Sequence, residues 1–376
     1  MAQHHFFLVP GFFGFVNLGN MVYFAHVREY LRDRLLAAGL DVEIHRVATP
    51  PTASLRDRAR RLLEEISSTA PDDGSIHLIG HSSGALDARL LASPRATLGR
   101  AAGLDEVRSR IRSVVSVGGP HHGTPLASFF QSVFGGVMLQ MLSASTVVVL
   151  RYGHLPLGAA LKLTAVIARG DDQAVDRTVI DQLLGDLFAD FSPERRTELS
   201  RLFGEVARDR SLIPELAPEA MTVFNAACPD AEGVRYGAVI SRARPPTLTG
   251  QLTQGLDPFA QFSAGVYQLL YRLNTRMPAQ YVPDPTPEQE TALRAVYGDL
   301  PGPDSNDGIV PTRSQLWGDV VHVTRADHLD TIGHFDQPDH LPPHYDWIAT
   351  GTGFNRHAFE DLWHDVAQWL LRGVGA

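Results

Sequence analysis

Ser75-Ile76-His77-Leu78-Ile79-Gly80-His81-Ser82-Ser83-Gly84 decides the reading of this chain, because an apolar strand runs straight into a helix-like stretch from Ala85 to Ala92. A serine at that junction sits on a sharp strand-to-helix turn. Gly80 and Gly84 flank Ser82 two positions either side, where a β-carbon would strike neighbouring main chain. The hydroxyl is thereby left standing clear beside the positive end of a helix. Alone, the pattern also suits an ordinary turn with serine as helix N-cap, so its meaning rests on the rest of the chain.

Two later segments fall in the order a serine nucleophile requires. Asn306-Asp307-Gly308-Ile309-Val310-Pro311 is a polar turn carrying a carboxylate, and Arg325-Ala326-Asp327-His328 leaves a short strand, Val320 to Thr324. Read singly, Asp307 is a turn residue stabilising its own loop and His328 a surface histidine. Read together, Ser82, Asp307 and His328 follow the chain order Ser, Asp, His. A serine hydroxyl is a poor nucleophile until a base removes its proton. An imidazole titrates near neutrality, so His328 can take that proton and return it to the leaving group, while Asp307 fixes its tautomer.

The first strand pattern, His5 to Val9, breaks at Pro10-Gly11-Phe12-Phe13-Gly14. Such a loop can present backbone N–H groups to the oxyanion that forms on attack, each worth about 3 kcal/mol in comparable sites. Phe12 and Ser83, the residue after the nucleophile, are the expected donors. The alternative is that Gly11 and Gly14 only turn the chain.

In these residues the chain resembles the bacterial lipases and carboxylesterases of the α/β-hydrolase fold. The likeness rests on Val9 to Phe12, Gly80 to Gly84, Gly118-Gly119-Pro120-His121-His122-Gly123-Thr124-Pro125, and Asp307 to Val310 with Asp327 to Asp330. It spans the first ~130 and last ~70 residues. It departs from the family's usual His-Gly before the oxyanion residue, having Pro10-Gly11 instead. The resemblance implies an α/β fold with a mostly parallel sheet flanked by helices, a core of residues 1–127 and 277–376, and a mainly helical cap at 128–276. It implies hydrolysis of carboxylic esters, acylglycerols among them, through a Ser-His-Asp triad with no organic cofactor. It further implies a structural calcium at Asp330, two positions after the base, with Asp284 or Asp336 as a second carboxylate; the competing reading makes these aspartates turn and cap residues. His121, His122, His334, His340 and His344 raise zinc, but their spacing matches no paired-ligand motif.

Composition sets the frame for these motifs. With 376 residues, 44% hydrophobic and 20% charged, the chain can fill one large globular domain with an insertion. A net charge of −9 argues against nucleic acid, and Arg56 to Arg61 reads as a solvated helix face with Glu64 and Glu65 close behind. Cys228 is the single cysteine, which excludes an internal disulfide. Met1-Ala2-Gln3-His4-His5 lacks a basic n-region and a cleavage site, which favours a cytoplasmic protein over one whose leader has been removed. After Pro125 the strand and helix rhythm stops until about Met277. Phe129 to Leu150 is apolar enough to raise a transmembrane reading, yet its polar breaks favour a lid over the active site and no membrane anchor. The expected partner is an acyl ester or lipid, with acyl transfer to an alcohol or thiol, or lipid binding without catalysis, as the rival functions.

Overall fold

The computed structural model describes residues 3–12, 17–18, 21–70, 74–99, 102–169, 177–189, 191–246, 258–337, 345–346, 348 and 350–373. Its strands are β1 (His4–Val9), β2 (Asn17–Leu18), β3 (Met21–Val22), β4 (Val42–Arg46), β5 (Ser75–His81), β6 (Ile111–Val117), β7 (Arg235–Ser241) and β8 (Asp319–Thr324). Six of them form one sheet in the order β4-β1-β5-β6-β7-β8, while β2 and β3 pair separately. Every neighbouring pair in the large sheet is parallel.

A parallel sheet needs cover on both faces, and the strand sequences are apolar on both. In β1, Phe6 and Leu8 enter the core on one side and Phe7 and Val9 the core on the other. Helices Val27–Ala37 and Arg356–Arg372 close the first side, the latter through Phe359, Leu362, Trp363 and Val366 at helical spacing. Leu62, Leu63 and Ile66 of helix Leu55–Thr69 and Ala88 and Leu91 of helix Ser83–Ala92 close the second. Near β8, helix Pro287–Tyr297 starts with a capping box between Thr286 and Gln289 and buries Leu293 and Tyr297.

The segment expected to be cap, 128–276, is not all cap. Its residues 235–241 are β7, a core strand hydrogen-bonded between β6 and β8. Pairing of this kind is nonlocal, and the run Tyr236 to Ile240 is too short to announce itself by periodicity. Gly237 is needed there, since a Cβ would lie 2.5 Å from a Val321 methyl carbon. The helical roof is therefore built from two pieces, one from Pro125 to Ala227 and one at Pro258–Asn274.

Helix Val133–Tyr152, which covers most of the stretch weighed as a membrane span, lies inside the roof. Met138, Met141, Ala144, Val147 and Val148 are buried in the main core cluster with Leu183, Leu187, Leu199 and Phe203 of neighbouring helices. Among the described residues no helix is long and apolar enough to cross a membrane.

Candidate active site

Ser82 follows directly on β5 and precedes helix Ser83–Ala92, with φ 54° and ψ −131°. Only one other non-glycine among the described residues, His26, has positive φ, and such a backbone costs energy that the surroundings must supply. The two glycines make it possible. A Cβ on Gly80 would sit 2.4 Å from the Ala85 nitrogen, and one on Gly84 2.3 Å from the Val9 carbonyl oxygen. Helix and β1 thus meet backbone to backbone at the foot of the serine.

Asp307 is fully buried and its carboxylate receives five hydrogen bonds. Oδ1 accepts from the backbone N–H groups of Ile309 (2.9 Å) and Val310 (2.7 Å). Oδ2 accepts from the Ser241 hydroxyl (2.9 Å), the Gln315 side-chain amide (3.1 Å) and His328 Nδ1 (2.8 Å). With Nδ1 donating to a carboxylate, Nε2 of His328 is left with its lone pair. That atom is buried and has no hydrogen-bond partner. His328 and Ser82 line one apolar hollow of about 800 Å³, its open mouth included. Gly118 passes under the imidazole, where a Cβ would lie 3.3 Å from the ring.

A chain of neutral hydrogen bonds joins the loop after β1 to the histidine loop. The Gly11 N–H donates to the Tyr23 hydroxyl (2.9 Å), which donates to His81 Nδ1 (2.7 Å), and His81 Nε2 donates to the His328 carbonyl (2.9 Å). Burial, reinforced by the neighbouring His328, holds His81 well below the usual imidazole range. Burial likewise raises the Tyr23 phenol. Neither group carries charge near neutrality, so the relay positions without adding a field.

Arg58, expected on a solvated helix face, is fully buried. Its guanidinium pairs with the buried Asp87 carboxylate at 2.7 Å and donates to the carbonyls of Pro10 (2.7 Å) and Pro50 (2.7 Å). Burial pushes the Asp87 carboxyl up to about 6, against the pull of Arg58. The charged run misled because its neighbours Arg60 and Arg61 do sit in solvent, paired with Asp57, Glu64 and Glu65. Ser241, Gln315, Tyr23 and Arg58 were not recognisable as site residues in the sequence. His81 stood in plain view as the residue before the serine.

Phe12 lines the hollow and packs beside Leu86 and Leu216, while Ser83 opens the helix as its first residue. The roof supplies Phe130, Leu139, Leu142, Ile213 and Leu270 to the same hollow.

The acidic residues do not gather as expected. Asp330 groups with Asp327 and Asp346, their oxygens within 4.8 Å of one another. Asp284 is instead exposed and pairs with Arg313 at 3.1 Å, and Asp336 is exposed and outside the group. Asp327 Oδ1 accepts from the N–H groups of Leu329 and Asp330, and Asp330 Oδ2 from the N–H of Asp327. Burial and mutual charge hold the carboxyls of Asp330 and Asp346 well above the usual range. Three carboxylates with only oxygen to offer fit a hard divalent cation, which would remove that repulsion. His121 bonds Ser116 and Arg89, and His334 donates to the Tyr23 carbonyl. Neither these nor His122 joins a metal-ligating group among the described residues, and His340 and His344 lie outside them.

A serine elbow after a buried strand of a parallel sheet, with a helical roof between later strands, defines the α/β-hydrolase fold found in bacterial lipases and carboxylesterases. Solved structures share it across nearly the whole chain. Lipase 1 of Pelosinus fermentans superposes with a TM-score of 0.52 at 16% identity, covering 98% of this chain and 99% of that one. EstA of Clostridium botulinum gives 0.53 at 16%, covering 98% and 87%, and Staphylococcus hyicus lipase 0.52 at 16%, covering 99% and 96%. In sequence, the chain is 33% identical to a triacylglycerol lipase of Pseudomonas fragi over 135 residues, which is 35% of this chain and 40% of that relative. No family model matches. By fold and by this partial likeness, the chain resembles the bacterial lipases and esterases.

Two substitutions test the buried supports. Arg58→Met leaves Asp87 buried without its partner and is expected to lower stability by about 3–5 kcal/mol in urea unfolding, with much of the loss recovered in Arg58→Met combined with Asp87→Leu. Tyr23→Phe strands the Gly11 N–H and His81 Nδ1, at an expected cost of about 1–3 kcal/mol.

Proposed function

We propose that the protein is a serine hydrolase of carboxylic esters with apolar acyl groups. The observation that carries this is the unpartnered Nε2 of His328, a residue that lines the same apolar hollow as Ser82 while its Nδ1 is held by Asp307. In this reading Ser82 Oγ attacks the ester carbonyl as His328 Nε2 takes its proton. The oxyanion is received by the N–H groups of Phe12 and Ser83. Collapse expels the alcohol, which takes the proton from His328, and leaves an acyl-enzyme on Ser82. Water, deprotonated by the same imidazole, then releases the acid. Ser241 and Gln315 keep the Asp307 oxygen aimed at His328 throughout. The acyl chain lies among Phe130, Leu139, Leu142 and Leu270, an apolar setting that favours lipid esters, and the roof acts as a lid. The likeness to a triacylglycerol lipase supports the same substrate class.

Asp327, Asp330 and Asp346 would hold a structural calcium that neutralises their charge and steadies the loop carrying His328.

Ser82→Ala is expected to lose ester turnover by roughly 10⁴-fold or more and to lose labelling by a fluorophosphonate, with folding kept. Asp307→Asn is expected to drop kcat by about 10⁴-fold. Labelling at another serine, or retained turnover, rejects the assignment. For the metal, calcium added to metal-free protein should raise Tm, and Asp330→Asn should abolish the rise; an equal rise in both rejects this site.

A further inference from the structure

On the opposite side of the sheet centre from Asp307, the edge pair β4 and β1 brings three metal-ligating side chains to one point. β4 is the outer strand, and its parallel register sets Glu43 beside His5 and His45 beside Phe7. Side chains alternate along a strand and align across a register pair, so His5, Glu43 and His45 share one face. Each offers one ligand atom to a common group. His5 Nδ1 and His45 Nε2 are 3.1 Å apart, and Glu43 Oε2 lies 3.7 Å from the first and 3.9 Å from the second.

We propose that His5, Glu43 and His45 form a divalent-metal site of the zinc class. The separations set the size of the ion. A point equidistant from three atoms so spaced lies about 2.1 Å from each, which is the length of zinc bonds to imidazole nitrogen and carboxylate oxygen, ~2.0–2.2 Å. A tetrahedral ion at that distance holds its donors ~3.4 Å apart, so the carboxylate need close by only a few tenths of an ångström. Glu43, about half exposed, has the freedom to do so. The nitrogen pair, a 3.1 Å hydrogen bond without the ion, would open by about the same amount. His5 is 1% exposed, and the His45 ring stacks on Phe7 with centroids 4.6 Å apart.

Donor type selects the ion. Two imidazoles and one carboxylate suit zinc, whereas calcium and magnesium prefer all-oxygen shells such as Asp327, Asp330 and Asp346. A second histidine pair supplies a contrast: His4 Nδ1 and His77 Nε2 are also 3.1 Å apart, but among the described residues no carboxylate groups with them. That pair is a hydrogen bond alone. At the edge, one donor comes from β1 and two from β4, so a bound ion clasps the outermost strand to its neighbour. A fourth position is left to a ligand that these three do not supply, water being the simplest. The site is independent of the ester chemistry.

The test is zinc titration of metal-free protein by calorimetry, followed by thermal unfolding. The wild type should take up zinc with micromolar or tighter affinity and melt at a higher temperature with it. Glu43→Gln, a half-exposed and near-isosteric change, and His45→Ala should each weaken this binding by more than the ~10–100-fold carried by outer partners of a metal, and remove the rise in Tm. Asp330→Asn should leave both intact. Circular dichroism confirms that the variants are folded, and Glu43→Gln alone decides if His45→Ala is not. Failure of the wild type to bind, or equal zinc binding in Glu43→Gln, overturns the proposal. Ester hydrolysis by the zinc-free variants should stay within twofold of wild type.

Discussion

The buried ion pair between Arg58 and Asp87 holds the end of the sheet that carries Ser82 in one arrangement. Arg58 belongs to helix Leu55–Thr69 and Asp87 to helix Ser83–Ala92, so the pair locks the elbow helix to its neighbour. The same guanidinium reaches the Pro10 and Gly11 carbonyls, fixing the loop that leads from β1 to Phe12. An ion pair in this setting is weak as a source of net stability, because both charges have left water. Its value is positional. Paired with Asp87, the guanidinium also satisfies the carbonyls of Pro10 and Gly11, at the place where Gly84 approaches β1 without a side chain between them.

Around that anchor, the site divides into a charged half and a neutral half. The Asp307 carboxylate collects five donors, and one of them is His328 Nδ1. On the other side Tyr23 and His81 carry geometry from Gly11 to the His328 carbonyl without net charge. A protonated His81 so close to His328, with ring centroids 4.5 Å apart, would oppose the imidazolium that a base must become. Burial prevents it.

Much of this was readable because turn chemistry is local. The elbow glycines, the Asp307 turn and the strand before His328 each declare themselves within a few residues, and the sheet places them together. What escaped the sequence depends on distant partners. β7 looks like any short apolar run until β6 and β8 flank it, and Ser241 at its end gains meaning only beside Asp307. Arg58 is indistinguishable in sequence from Arg60 and Arg61, and only the approach of Asp87 sets it apart. For the acidic group, spacing from His328 located Asp330 but not its companions, since Asp346 is sixteen residues further along and no local pattern ties it to Asp330.

The division of the roof around β7 has a mechanical consequence. Its second piece ends at Asn274, which donates to the Gly308 carbonyl, while the single Thr124 hydroxyl proton is shared between Asn274 Oδ1 and the Ile309 carbonyl. These bonds rivet the rear of the roof to the turn that carries Asp307. Widening the mouth from that side would drag Asp307 away from His328, so on the proposed function an opening that keeps their hydrogen bond has to come from the forward helices, Val133–Tyr152 among them, with the rear helix serving as the fixed jamb.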